Sequence, residues 1–189
     1  MNTRCYVALL RGINVGRAKR IAMADLRKVI ADLGFSEVRT LLNSGNAVFM
    51  GPKATHKEVR RAIEEALVMK LGVPSRVTVL DSEELAQVVA ENPLHEVEEP
   101  TRLLVFFLTR PRDRALLEPL PGNDWGEEAL ALGKRAAYVW CPNGILQSRA
   151  AGAVGTGLGD ATTSRNWSTV VKLHALCDTV KAAAAKSAA

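Results

Sequence analysis

The chain predicts an α+β fold of two ferredoxin-like βαββα(β) halves with antiparallel or mixed sheets. Three observations carry this. Short apolar or β-branched runs alternate with stretches of helical periodicity in the order βαββαβ over the first 80 residues. Asn/Gly clusters sit between neighbouring strand-like runs, where hairpins need positive φ. An acidic, proline-bounded stretch, His95–Pro100, separates this half from a second series of strand and helix signals.

The elements follow in order. Arg4–Leu10 (RCYVALL) is an apolar run of strand length that ends at Gly12. Leu26, Val29, Ile30 and Leu33 then fall at i, i+3, i+4 and i+7, one stripe of a helix, with Gly34 placed for a left-handed cap. Phe35–Leu42 and Ala47–Met50 read as strands around the turn Asn43-Ser44-Gly45-Asn46. Thr55 and Glu58 have capping-box spacing, and Val59, Ala62, Ile63, Ala66 and Leu67 give a second helix before Gly72 and Pro74. Arg76–Leu80 is a β-branched strand. Ser82 reads as the cap of a third helix, which ends near Asn92-Pro93.

Leu103–Leu108 (LLVFFL) opens the second half as a central strand, and a short helix follows around Asp113–Glu118. Glu128–Leu132 and Ala136–Cys141 flank Gly133-Lys134-Arg135 as a hairpin. Residues 150–159 hold four glycines and predict a loop or a weak helix. The last helix is expected to start near Ser164 or Asn166, and the alanine-rich tail is expected to fray. The expected domains are 1–95, 101–180 and a tail at 181–189.

Composition is that of an ordinary packed protein, 48% hydrophobic and 24% charged. No apolar run approaches the ~20 residues of a bilayer span, and the apolar start reads as a strand, so the expected location is the cytoplasm. Cys5, Cys141 and Cys177 are scattered and lack CxxC spacing, which points to buried reduced thiols. Charge is segregated. Residues 1–80 hold 14 basic and 6 acidic side chains, 81–128 hold 4 and 12, and 129–189 hold 7 and 2. The basic blocks either face an anionic ligand or pair with the acidic block.

Nucleotide-loop, dinucleotide-loop, serine-elbow and zinc-helix motifs are absent, so no cofactor is expected. His174 and Cys177 share a helix face but supply only two ligands, so no metal site is expected either. Four polar clusters remain as candidate ligand-binding groups: Arg11 to Gly16, with Arg11 and Asn14; Asn43 to Asn46, with Ser44 and Asn46; Gln147-Ser148-Arg149; and Thr163 to Thr169, with Arg165, Asn166 and Thr169, followed by Lys172. Arginines, amides and hydroxyls on loops, or at a helix start with free N–H donors, suit phosphate or carboxylate. Each cluster also has a structural explanation as a turn or a cap.

The stretch Tyr6–Phe49 (YVALLRGINVGRAKRIAMADLRKVIADLGFSEVRTLLNSGNAVF) resembles the N-terminal signature of a bacterial family catalogued as domain of unknown function 1697. Ser164–Leu173 (SRNWSTVVKL) is similar to that family's C-terminal motif. The matching residues are Arg11, Gly12, Asn14, Gly16, Ser44, Gly45, Asn46, Ser148, Arg165, Asn166, Trp167, Thr169 and Lys172. Ala22-Met23 departs from the usual Pro-Met, and the glycine-rich 150–159 stretch departs from a longer polar helix. The resemblance implies two ferredoxin-like halves and no settled activity.

Three functions are weighed. The first is binding of a phosphate- or carboxylate-bearing small molecule at a polar pocket where Arg11, Asn14, Arg165 and Asn166 converge between the lobes; its catalytic form would be transfer chemistry by positioning and charge stabilisation. The second is nucleic-acid binding through aromatics on a sheet face, for which the first half offers only Tyr6 and Phe49. The third is a protein-interaction or structural role as a homo-oligomer. No membrane partner is expected.

Overall fold

A computed structural model describes residues 3–15 and 19–187. Gly16 of the first polar cluster and the last two residues of the tail lie outside the described residues. The chain groups into two compact units, residues 1–85 with 173–189, and residues 86–172.

The first unit contains β1 (Thr3–Leu10), α1 (Met23–Asp32), β2 (Ser36–Leu41), β3 (Asn46–Pro52), α2 (His56–Leu71) and β4 (Val77–Asp81). Its four strands form one antiparallel sheet in the order β2-β3-β1-β4, the ferredoxin-like arrangement that the βαββαβ order predicts. Side chains of alternate residues share a sheet face. Tyr6, Ala8 and Leu10 of β1 therefore pack together under Leu26, Val29 and Ile30 of α1 and Val59, Ile63 and Leu67 of α2. A register shift between Ser36 and Arg39, with Glu37 at φ 51°, marks a bulge in edge strand β2.

The second unit repeats the plan. Its sheet is β5 (Leu103–Leu108), β6 (Ala129–Leu132), β7 (Ala136–Trp140) and β8 (Thr162–Asn166), in the order β6-β7-β5-β8 and antiparallel throughout. A 3₁₀ helix, Pro111–Leu117, stands where the first unit has α1. The 10-residue helix α4 (Arg149–Leu158) stands where it has α2. Leu104, Phe106 and Leu108 pack with Ala137, Val139, Ala150, Val154 and Leu158.

Residues 150–159 take the helical of their two expected forms: α4 forms because Ala150, Ala151, Val154 and Leu158 bury one face on the sheet, which outweighs the intrinsic cost of its glycines. Other expectations are corrected. Of the two expected starts for the last helix, Asn166 holds to within a residue and Ser164 does not, because residues 162–166 extend as a strand. They are β8, an eighth strand paired with β5 over Leu104–Leu108, and helix α5 (Trp167–Ser187) starts immediately after. The tail is helical to Ser187, where Ser187 Oγ donates to Ala183 O and lies 3.5 Å from Glu37 Oε1. Grouped by contacts, the first unit runs to Leu85, inside α3 (Ser82–Ala90). The later turns of α3 join the second unit, where Val88 O accepts the Tyr138 hydroxyl at 2.7 Å and Glu91 Oε2 accepts Lys134 N at 2.9 Å. Residues 173–180 group with the first unit, which includes Cys177 against Cys5. No helix among the described residues is long and apolar enough to cross a membrane.

Candidate functional site

The N-terminal polar clusters meet one another. Asn14, in the left-handed region at φ 55°, donates Nδ2 to Asn43 O at 2.7 Å and to Ile21 O at 2.9 Å, and accepts Ile21 N at Oδ1. Asn46 is fully buried and donates to Leu41 O and Ser44 Oγ, which closes the turn before β3. Gly45, at φ 79°, gives its carbonyl to Leu10 N at 2.8 Å. Arg11 is tied through its backbone: its N–H donates to Arg76 O, and its carbonyl accepts Ser75 Oγ. Asn14 thus ties its loop to the turn between β2 and β3, and Asn46 with Ser44 closes that turn.

In the second unit, the candidates divide between two helix starts. Ser148 is the N-cap of α4, its Oγ accepting Ala151 N at 3.0 Å. The same hydroxyl donates to Glu128, whose carboxylate accepts Arg149 N at 2.9 Å and Ala150 N at 3.0 Å. A carboxylate of the protein's own chain therefore occupies the anion-binding end of α4. Burial pushes the Glu128 carboxyl up, but these hydrogen bonds more than offset it and hold the group below the usual carboxylate range. Arg149 is exposed, with its guanidinium carbon 5.9 Å from the centre of the Trp125 ring.

Asn166 plays the corresponding part at α5. Its Oδ1 accepts both Thr169 N and Thr169 Oγ1, at 2.9 and 2.8 Å. Arg165, on β8 opposite Val105, donates Nη1 to Ser164 O and Thr163 Oγ1. Burial pushes its guanidinium down to about 10, although the residue as a whole retains some exposure. Lys172 is exposed, and Trp167 is buried as a packing anchor. Tyr6, Phe49, Phe106, Phe107 and Tyr138 are all buried, so these strand aromatics present no stacking platform for bases.

The first unit carries a groove of about 460 Å³ that none of the four clusters lines. Arg4 comes from β1, Lys53 from the loop after β3, Ser82 and Glu83 from the first turn of α3, and Lys181 from α5. Thr3, Cys5, Met50 and Asp81 complete the wall. Arg4 Nη1 is 3.1 Å from Asp81 Oδ2, and Lys53 and Lys181 are exposed. Cys5 and Cys177 are free, buried thiols that share a hydrogen bond, which lowers Cys5 and raises Cys177. Beside this wall stand His56, at the start of α2, and Glu84, in the first turn of α3. His56 Nε2 lies 3.4 Å from Glu84 Oε2 and 3.6 Å from Asp81 Oδ2.

Sequence reasoning missed Arg4, Lys53, Lys181 and His56 because no spacing joins them. Fifty positions and three elements separate Arg4 from Ala54, yet the Tyr6 hydroxyl fixes that loop by accepting Ala54 N at 2.8 Å and donating toward Pro52 O and Ala54 O. The one available signal was the position of Lys53 and His56 around a capping box at the end of a central strand, where loops bear ligand-binding groups.

The fold and this groove define an α+β protein of two ferredoxin-like units, the first bearing a charged groove beside its sheet. The chain belongs to the family described as protein of unknown function, DUF1697, which it matches over residues 2–138. Among solved structures it is similar to a conserved bacterial protein from Streptococcus pneumoniae, with a TM-score of 0.72 and 20% identity, covering 93% of this chain and 99% of that one. A likeness at that identity is one of fold. No curated protein matches.

Proposed function

We propose that the protein binds a small phosphate- or carboxylate-bearing ligand in the groove of its first unit. One observation carries this reading: Arg4, Lys53 and Lys181, from three separate elements, line the same groove, against two acids, Asp81 and Glu83. Asp81 is engaged by Arg4, so the wall keeps a positive surplus at the two lysines. Ser82 and Thr3 add hydroxyl donors, and Met50 gives an apolar contact for a carbon skeleton. Groups of this kind recognise an anion by charge and hydrogen bonding without needing a general base.

The reading is tested by thermal unfolding with inorganic phosphate or citrate at low millimolar concentration, against chloride at matched ionic strength. The expected result is a higher midpoint with the polyvalent anion in the wild type and none in Lys53→Ala/Lys181→Ala. Both substitutions are at exposed positions, so the fold is expected to survive them. Equal anion stabilisation in the wild type and the double variant would remove the groove from consideration.

A further inference from the structure

We propose that His56, Asp81 and Glu84 form a binding site for a divalent cation of the zinc class; the site shares Asp81 and Arg4 with the wall of the anion groove but does not rest on an anion binding there. The three residues come from the first position of α2, the end of β4 and the first turn of α3, and one donor atom from each lies within 4.8 Å of the others. His56 Nε2 is 3.4 Å from Glu84 Oε2 and 3.6 Å from Asp81 Oδ2, and neither contact has hydrogen-bond geometry. Ligands held at tetrahedral angles around zinc, with bonds of about 2.1 Å, stand about 3.4 Å apart. The two separations from His56 Nε2 match that spacing.

A second observation is the state of the imidazole itself. The Nε2 atom is buried and has no hydrogen-bond partner among the described residues. A buried polar nitrogen is ordinarily satisfied, because leaving it unpaired costs its full desolvation. Here it is aimed between two carboxylate oxygens that stand too far off, or too far off line, to satisfy it. A cation between the three atoms would satisfy the imidazole nitrogen.

The donors are also held in place, as ligands need to be. Asp81 Oδ1 accepts Glu84 N at 2.9 Å and Glu84 Oε2 accepts Asp81 N at 3.1 Å, a reciprocal cap that locks both carboxylates at the start of α3. Asp81, rather than Ser82, is thus the cap of this helix. Arg4 Nη1, 3.1 Å from Asp81 Oδ2, orients that carboxylate from outside. The imidazole stands edge-on to Tyr6, ring centres 6.4 Å apart, just after the loop that the Tyr6 hydroxyl pins at Ala54. Two carboxylates against one guanidinium leave a net negative charge for the cation, and one imidazole with two carboxylates suits zinc or its first-row neighbours.

The test is titration of the full-length protein, stripped with chelator, with Zn²⁺ by calorimetry and with Co²⁺ by visible absorption. The expected result is one equivalent bound, with d–d bands from cobalt in a low-symmetry site. His56→Gln is expected to weaken binding by more than about 100-fold, beyond the 10–100-fold that loss of an outer partner costs. His174→Gln, on the helix face that His174 shares with Cys177, is expected to bind like the wild type. If circular dichroism shows His56→Gln unfolded, Asp81→Asn carries the same expectation. No binding at millimolar metal, or equal affinity in the wild type and the folded ligand variant, would overturn the proposal and leave His56 as a structural neighbour of two carboxylates.

Discussion

The two units share one strand order but are built from unequal material. In the first, the sheet is covered by α1 and α2, of 10 and 16 residues, and α2 begins with a local capping box, Thr55 with Glu58. In the second, the equivalent positions hold a seven-residue 3₁₀ helix and α4, whose interior carries glycines at 152, 155 and 157. The start of α4 is secured by Glu128, 20 residues before Ser148. The same sheet topology therefore forms whether helix signals are strong or weak. Strand pairing and burial of one apolar face decide the plan, and helix propensity only adjusts its stability.

The largest effect expected from breaking this comparison lies in the first unit. Gly45→Ala meets two obstacles: φ of 79°, and a Cβ that would stand 2.7 Å from Leu10 Cβ and 2.8 Å from Ile13 Cδ1. The expected cost is about 3 kcal/mol, read from the denaturant midpoint. A midpoint near that of the wild type would show that the turn between β2 and β3 rearranges freely.

A smaller effect is expected at the long-range cap of the second unit. Glu128→Gln keeps the shape but removes the charge and turns one of the two accepting oxygens into a donor, so at least one of three hydrogen bonds is lost, and about 1–2 kcal/mol of stability is expected to go with it. The pH dependence has a definite sign. A carboxyl held low in the folded state adds stability above its unfolded value of about 4.3, and that stability is lost as pH falls through the lower folded value. All three tryptophans, Trp125, Trp140 and Trp167, belong to the second unit, so their fluorescence reports it. The wild type is expected to lose stability more than Glu128→Gln does between pH 5 and pH 3. Parallel acid profiles would show that the charge on Glu128 contributes nothing to α4.

The smallest effect runs the other way. At Gly152 and Gly155 an added Cβ would meet nothing within 4 Å, and neither glycine has a positive φ. Gly152→Ala and Gly155→Ala should each stabilise α4 by about 0.5–1 kcal/mol, seen as a later tryptophan transition. A loss of stability at either would mean that the helix needs the glycine for close approach to a neighbour.

The amino-acid sequence by itself determined the features written in neighbouring residues. The apolar stripe of α1, the Thr55–Glu58 box, the left-handed Gly45 and the alternating elements of the first unit are all local signals, and local signals specify local backbone. Membership in the family was legible for the same reason, since the stretch from Tyr6 to Phe49 is contiguous. Tertiary structure alone decided what depends on partners far along the chain. Thr162–Asn166 looks like a helix start because Ser, Arg and Asn have poor strand propensity, and it becomes a strand because β5 offers an unpaired edge. Ser148 and Asn166 look like ligand groups until Glu128 and Thr169 are seen satisfying them. His56, Asp81 and Glu84 share no motif; they meet because β1, β4 and the loop before α2 converge at one end of the first sheet, and a sheet brings together atoms that sequence distance keeps apart.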